Sequence, residues 1–431
     1  NTCYTWEYAP CQPQTDLSDE ITLTITAPYV PDAMASSVHM YQGKHPEVQM
    51  EWDTQFVSRD DFTAHASQYA EQLTLRLMAG DVGDIMMLHG SALDVDAVLK
   101  TDVMADLSAY LADCPFRKEL EDSYLDALTR QDGSIPALPV AIQPSYWIYN
   151  QTLAEKMGVN WDTDNITWSQ VFDLAQQWQA DGVKKSVFWT SAKSEFSIID
   201  EVLYSFLLED LDAFVMEDGS VNLHQDWLIK RLEQLARLQN CTQLYNAFDD
   251  YWWYSFEDSL IVSYSSADYN NLFGWLYHCK ENCNVELRIL PVPKGEKTGT
   301  RQGYAFAWGI PEVSRQKDAA WNFLEFLVSS DGLVMDTYFT DTCLLNKTAD
   351  RERAENALQS FARNYNTETE DYERYYDELR ASLDHPIRRL VEPTGWYNAI
   401  GEPILQYLAE SLSLNEALTE AEENWERALA E

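Results

Sequence analysis

The stretch from residue 21 to residue 88 constrains the fold most, because it switches repeatedly between strand and helix patterns. Ile21-Thr-Leu-Thr-Ile-Thr26 alternates apolar and polar β-branched residues, which is the period of a half-buried strand. A helical stretch follows through about Tyr41. His45-Pro46-Glu47 interrupts it, and Val48-Gln-Met-Glu-Trp52 reads as a second strand. In the next helix Tyr69, Leu73 and Leu77 recur every fourth residue, and Ala79-Gly80 ends it. Asp84-Ile-Met-Met-Leu88 then reads as a buried strand. Strand, helix, strand, helix, strand is the grammar of an α/β fold with a parallel sheet.

The grammar resumes further on. Gln143-Pro-Ser-Tyr-Trp-Ile-Tyr-Asn150 is β-rich, and Thr167-Trp-Ser-Gln170 is a capping box opening a helix with Trp168, Val171, Phe172, Ala175 and Trp178 on one face. That stripe is expected in the core. Ser186-Val-Phe-Trp189 reads as a strand, and Ser314 precedes a helix with a stripe of Ala320, Phe323, Leu324 and Leu327. Ser413-Leu-Asn-Glu416 is a second capping box, whose helix places Leu414, Leu418, Ala421, Trp425 and Leu429 on one side. The acid-rich run from Tyr365 to Glu378 is expected to be a solvated helical face or loop.

Charge excludes one class of partner. Against 71 acidic residues stand 30 Lys and Arg, a formal net charge of −41, so the counterion release that drives nucleic-acid binding has little to work with. No stretch approaches the ~20 apolar residues of a membrane span. The chain opens Asn1-Thr2-Cys3 without an initiator Met, which reads as a product whose export signal has been removed.

Nothing nominates a metal or cofactor. No HExxH occurs, and His39 and His45 are not at helical i, i+4 spacing. Seven cysteines cannot all pair within one chain. Cys3/Cys11 and Cys279/Cys283 are close enough in sequence to close small disulfide loops in an oxidising compartment, but neither pair has CxxC spacing. No GxSxG elbow, P-loop or dinucleotide fingerprint appears. Four NxT sequons, at Asn150, Asn165, Asn240 and Asn346, are expected to be fortuitous in a bacterial protein.

Four blocks in order carry a family resemblance. Tyr69 through Ala79-Gly-Asp-Val-Gly-Asp-Ile85 resembles the second helix and third strand of the family 1 extracellular solute-binding proteins, the receptors that feed bacterial ABC sugar importers. Val82-Gly83 stands where that family usually has a Pro before the Asp. Gly133-Ser-Ile-Pro-Ala-Leu-Pro139 with Ile148-Tyr-Asn150, Leu153, Gly158 and Trp168 is similar to the crossing into a second lobe. Leu290-Pro-Val-Pro-Lys-Gly295, Gly303-Tyr304 and Ala319-Ala-Trp-Asn-Phe-Leu324 resemble the return. Ser413 to Leu418 resembles the family's C-terminal helix.

The resemblance implies a type II periplasmic-binding-protein-like fold, with two hinge-linked lobes of mostly parallel sheets flanked by helices, in the layout of maltose-binding protein. It implies a tether at 1–20, a first lobe from 21–140 plus 287–329, and a second from 141–286 plus 330–431. The implied activity is capture of a carbohydrate without catalysis or cofactor. A monomeric receptor would hand its cargo to a membrane permease. It would stand outside the cell as a lipoprotein, or in a periplasm, with any lipid-bearing cysteine lying upstream of Cys3.

The residues add a ligand chemistry. Aromatics are 13% of the chain, with 15 Trp and 24 Tyr against 16 Phe. Trp and Tyr offer a flat apolar face and a polar handle, which suits stacking on a pyranose. Covering half of a ~200 Å² aromatic at ~25 cal/mol per Å² contributes about 2.5 kcal/mol, so two or three platforms approach the roughly −8 kcal/mol of a micromolar complex.

By the family layout, Trp396 in Glu392-Pro-Thr-Gly-Trp-Tyr397 is expected to stack on the sugar, and Gln143 to contact it from the hinge. Trp189, His89 and Tyr29 follow strands and are expected at the interlobe crevice, as are Asp268, Tyr269, Tyr304 and Trp308. Two rival readings keep their place. The acidity could draw a polyamine or basic peptide, with Asp268 pairing an ammonium. Alternatively, a pair of the abundant carboxylates could serve a glycoside-active enzyme.

Overall fold

The computed structural model describes residues 21–88, 95, 98, 101–190, 198–216, 218–238, 244–245, 257–264, 268–301, 303–332, 342–384 and 395–430. Two sheets organise them. The first contains β1 (Ile21–Thr26), β2 (Val48–Asp53), β3 (Ile85–Leu88), β4 (Leu138–Gln143), β10 (Tyr304–Gly309) and β11 (Cys343–Leu344) in the order β11-β4-β10-β3-β1-β2. The second contains β5 (Tyr146–Asn150), β6 (Ser186–Thr190), β7 (Leu244–Tyr245), β8 (Ser259–Tyr264) and β9 (Leu287–Pro291) in the order β7-β6-β8-β5-β9.

Alternation explains β1. Leu23 and Ile25 are fully buried, and the strand pairs parallel with β2 from Ile21↔Val48 to Thr26↔Asp53 and with β3 at Ile25↔Ile85. β3 is buried at all four positions, as its unbroken apolar run requires, between β1 and the antiparallel β10. Most strands of each sheet run in one direction, as expected, with a minority opposed. β10 and β11, added when the chain returns from the second sheet, are both antiparallel to β4, and in the second sheet β5 is antiparallel to both β8 and β9.

The turn between the helix Ala66–Ala79 and β3 shows why its residue types recur. Gly80 closes the helix at φ 70°, a left-handed conformation that suits glycine. A Cβ on Gly83 would lie 2.3 Å from the Thr24 carbonyl oxygen, so only glycine fits that approach to β1. Asp84 then donates its backbone N–H to Thr24 O at 2.7 Å, while its carboxylate accepts from Thr24 N at 3.0 Å and Ser314 Oγ at 2.7 Å. One carboxylate thus fastens β1, β3 and the approach to the helix Lys317–Leu327.

Both capping boxes form. Thr167 N–H donates to Gln170 Oε1 (2.9 Å) and Gln170 N–H to Thr167 Oγ1 (3.3 Å), and Ser413 and Glu416 repeat the exchange at 2.9 and 3.3 Å. The helix stripes at Trp168–Trp178 and Ala320–Leu327 are buried as expected. The C-terminal stripe stops at Trp425, because Leu429 lies beyond the packed neighbours and is 48% exposed.

Two corrections concern helices. The acid-rich run is not simply solvated: Tyr372, Tyr375 and Tyr376 are buried on the helix Glu370–Leu383, with Leu379 and Leu383 one and two turns further on. That helix packs on β9, where Glu378 accepts the Ile289 N–H at 2.8 Å and pairs with Arg288. Cys279 and Cys283 do not close a disulfide loop. They are buried thiols, not joined to each other, one turn apart on the helix Tyr269–Cys283.

Asn150 and Asn346, buried in two of the sequons, spend their side chains capping the helices Gln151–Met157 and Lys347–Tyr365. Cys3 and Cys11 lie outside the described residues, as does Asn240.

The second sheet has two apolar faces because β5 alternates between them. Tyr146 and Ile148 join a buried cluster continuous with the first sheet's core, while Trp147 and Tyr149 join a separate cluster under the helices Trp168–Ala180, Ile198–Glu209, Asp226–Leu238 and Trp396–Leu408. Residues 144–145 carry the chain from the first sheet to the second, and residues 292–303 bring it back. This return is anchored by Asp210, whose carboxylate accepts the backbone N–H of Glu296, Lys297 and Thr298 at 2.6, 2.8 and 3.0 Å. Three stretches lie in a different sheet from the rest of their part of the partition drawn from the sequence: residues 141–143 end β4 and Cys343–Leu344 pairs with it in the first sheet, while Leu287–Pro291 is β9 of the second.

Candidate functional site

Strand registers bring the ends of the two sheets to a common boundary. In the first sheet the parallel strands β1, β2 and β3 end at one edge. β10 starts there, because it runs antiparallel to β3, and β4 ends there with Gln143 opposite Tyr304. In the second sheet Tyr146 begins β5 opposite Tyr264, the last residue of β8, and Pro291, the last of β9. The parallel β6 ends beside them, with Thr190 opposite Ser263. Only Pro144 and Ser145 separate Gln143 from Tyr146, so at the crossing the two edges are at most about 10 Å apart. Carboxyl ends of strands facing a crevice are where open α/β sheets hold ligands.

The expected site residues divide at this boundary. Gln143 is exposed at the end of β4, and Asp268 is half-buried at the entrance of the helix Tyr269–Cys283, its carbonyl accepting Leu272 N–H at 2.8 Å. Trp189 occupies the penultimate position of β6, opposite Tyr245 and Val262, and Tyr304 begins β10; their side chains lie outside the description. His89 lies outside the described residues.

Three aromatics are drawn away from the boundary into packing. Trp308 sits four residues along β10 from Tyr304, opposite Met87 and Leu138, and is 1% exposed. Tyr269 is buried with its hydroxyl donating to Asp350 at 2.7 Å, and burial followed by the Asp350 charge pushes that phenol well above its ordinary pKa. Trp396 is not a loop residue. Gly395, at φ 73°, turns the chain into the helix Trp396–Leu408, and the indole packs 5.3 Å from Tyr204 at 2% exposure.

Tyr29 is also buried, at 4% exposure, but it borders a cavity. A cavity of about 300 Å³ opens where β1 and β2 end, lined by Tyr29, Pro31, Val57, Ser58, Arg59 and Asp60 among others. Its volume is at the lower end of the range for small-molecule pockets. The Tyr29 ring rests on Phe62, with centroids 5.9 Å apart, and Ser58 Oγ accepts the Asp61 N–H at 3.2 Å, fixing the loop where a helix begins. An aromatic ring, a guanidinium and a carboxylate thus border one concavity. Arg59, Asp60 and Val57 escape sequence reasoning, although the strand-end logic applied to β1 serves equally for β2. Among the described residues no group of His, Cys, Asp and Glu could hold a metal ion.

With fold and boundary in place, the class of protein follows. Residues 61–350 match the family model described as bacterial extracellular solute-binding protein, and the chain belongs to that family. Its structure is similar to the sugar-binding protein MalE from Xanthomonas citri (TM-score 0.63, 15% identity, covering 95% of this chain and 97% of that one). It is also similar to the cyclic alpha-maltosyl-1,6-maltose binding protein from Arthrobacter globiformis (TM-score 0.57, 16% identity, 95% and 99%). A third likeness is to an ABC substrate-binding protein from Listeria monocytogenes in complex with cycloalternan (TM-score 0.53, 16% identity, 96% and 100%). At these identities the likeness establishes the two-lobe fold. A search of curated protein sequences found no match. No helix among the described residues is long and apolar enough to cross a membrane.

Proposed function

We propose that this protein is the extracellular receptor of an ABC importer and captures an oligosaccharide between its lobes. The observation that carries the reading is the convergence of strand ends from both sheets on one boundary, with the Tyr29 cavity opening beside it. The family membership and the sugar ligands named for its structural neighbours support it. Tyr29 supplies a stacking face, and Arg59, Asp60 and Gln143 supply polar partners for hydroxyls. Trp189, Tyr304 and Asp268 belong to the same rim in this reading.

In this reading the first lobe comprises 21–143 plus 304–329 with β11 added, and the second the remaining described segments, β9 included. Closing the lobes over the sugar would let a membrane permease distinguish loaded from empty receptor. The receptor acts as a monomer at the cell surface or in a periplasm, and it leaves its cargo chemically unchanged.

Thermal-shift screening tests the ligand class, since a ligand selective for the folded state raises the midpoint by mass action. Maltotriose and cyclic glucose oligosaccharides are expected to raise it, whereas spermidine and lysine-rich peptides are not. A shift with the cations alone overturns the sugar assignment. Release of reducing sugar from a glycoside overturns the non-catalytic one.

A further inference from the structure

Behind the boundary lies a buried ionic cluster that ligand capture, as described above, does not use. Asp350 is fully buried in the first turn of the helix Lys347–Tyr365. Its carboxylate accepts from Tyr269 Oη at 2.7 Å, Leu344 N–H at 2.8 Å, an Arg353 guanidinium nitrogen at 2.9 Å and Arg380 at 3.3 Å. Arg380 reaches onward, donating to Glu121 Oε2 at 2.7 Å and to Leu344 O at 3.2 Å. The Arg380 and Glu121 side chains are 11% and 5% exposed.

These groups come from opposite sides of the partition. Glu121 belongs to the first sheet's side: its N–H donates to Leu345 O at 3.0 Å, and the helix Asp122–Asp126 that follows packs on β4. Arg380 is carried by the helix Glu370–Leu383, which Glu378 fastens to β9 of the second sheet. Tyr269 heads the helix that follows β8, also of the second sheet. The cluster therefore spans the two sheets at the third crossing, where β11 passes into the helix Lys347–Tyr365. Leu345 pairs with Val140, three residues back from the rim residue Gln143.

We propose that the Glu121–Arg380–Asp350 cluster is the pivot about which the lobes move, with Arg380 as a positioning residue that sets their resting separation. The proposal rests on the reading of the protein as a two-lobe receptor. The physical argument is that a buried ion pair has no intermediate state. Separating Arg380 from Glu121 leaves that buried carboxylate with Lys347 at 4.0 Å in place of a guanidinium at 2.7 Å, whereas rotation about the cluster keeps every partner. Arg is suited to the position because its planar fork reaches a carboxylate on one side and a second carboxylate and a carbonyl on the other. The same carboxylate that holds Arg380 also holds the Tyr269 phenol, so the cluster fixes where Asp268 enters the rim.

Two measurements, neither needing a ligand, test the proposal. In small-angle X-ray scattering of the ligand-free full chain, Glu121→Gln and Arg380→Lys are both expected to enlarge the radius of gyration while retaining wild-type helical circular dichroism. A folded Glu121→Gln protein that scatters like the wild type overturns the pivot and leaves the cluster a purely structural element. Hydrogen exchange on the unmodified protein serves even where a variant does not fold. The amides of Glu121, Leu344 and Ile289 are expected to exchange only with global unfolding, at least about tenfold more slowly than the loop amides of residues 54–58. Exchange of the cluster amides at the loop rate overturns it. Failure of every sugar to bind would count against the proposed cargo and not against this pivot.

Discussion

The two cores solve the same packing problem with different side chains. In the first sheet β1, β3 and β4 bury mainly aliphatic side chains and Met (Leu23, Ile25, Ile85, Met86, Met87, Leu88, Val140 and Ile142), and β10 adds Trp308. The outer face of the second sheet is filled with rings instead. Trp147 meets Trp168 edge-on at 5.2 Å and Phe188 at 5.7 Å, Trp168 stacks beside Phe172 at 6.0 Å, and Trp396 lies in the same cluster. Aromatic pairs in such geometries add about 0.5–1.5 kcal/mol beyond the area they bury. Among the described residues Trp147, Trp168, Trp178, Trp396 and Trp425 are buried in this cluster and Trp275, Trp308 and Trp321 in the first, so much of the Trp that in composition resembles a stock of sugar platforms is spent on the interior. Tyr29, in the first cluster, combines burial against Phe62 with a place at the border of a cavity.

The largest expected effect tests that contrast directly. Trp396→Ala removes a ring buried in the aromatic core and is expected to cost about 3–5 kcal/mol of stability, read from the midpoint of urea unfolding. A variant as stable as the parent that loses only ligand affinity would return Trp396 to the binding site.

On the first lobe, Gly83→Ala forces a methyl against the Thr24 carbonyl and is expected to cost about 1–3 kcal/mol in the same assay. An unchanged midpoint would mean that β1 and the turn before β3 can separate freely.

Tyr29→Ala is expected to weaken binding of a recognised oligosaccharide about tenfold, or ~1.4 kcal/mol, measured by titration calorimetry. Equal affinity would detach the cavity from the ligand site. Ile25→Val, a single methylene in the aliphatic core, is expected to cost about 0.5–1.5 kcal/mol. A loss as large as that of Trp396→Ala would erase the distinction between the cores.

Thiol chemistry provides the gentlest probe. Burial, then the Asp350 charge, pushes the Cys343 thiol up to about 12, and burial followed by Cys283 raises Cys279. With so little thiolate at neutral pH, peptides containing Cys114, Cys279, Cys283 or Cys343 should take up iodoacetamide only after denaturation. Prompt labelling of the native protein would show that these thiols are open to solvent.

The legible parts of the fold are those written in local pattern. Alternation in Ile21–Thr26, the Thr167/Gln170 and Ser413/Glu416 boxes and the helix stop at Gly80 act within one turn or one strand, so they survive reading from sequence. The third crossing was not legible, since Cys343–Leu344 is two residues long and gains its strand character only from pairing with β4. The tyrosines of Glu370–Leu383 could have been found: Tyr372, Tyr375, Tyr376, Leu379 and Leu383 recur at helical spacing beneath a conspicuous acidic pattern.

Position beside a strand end was legible for Gln143 and Tyr29. Burial was not. Trp396 and Trp308 look amphipathic in any alphabet, and tertiary packing alone sends them inward.

The central claim is that two lobes close on an unaltered sugar. Small-angle scattering during titration with maltotriose and cyclic glucose oligosaccharides tests it most directly. The account predicts a saturable fall in the radius of gyration with at least one of them and recovery of that sugar intact. A radius that stays constant while the sugar binds, or a sugar returned cleaved, would contradict it.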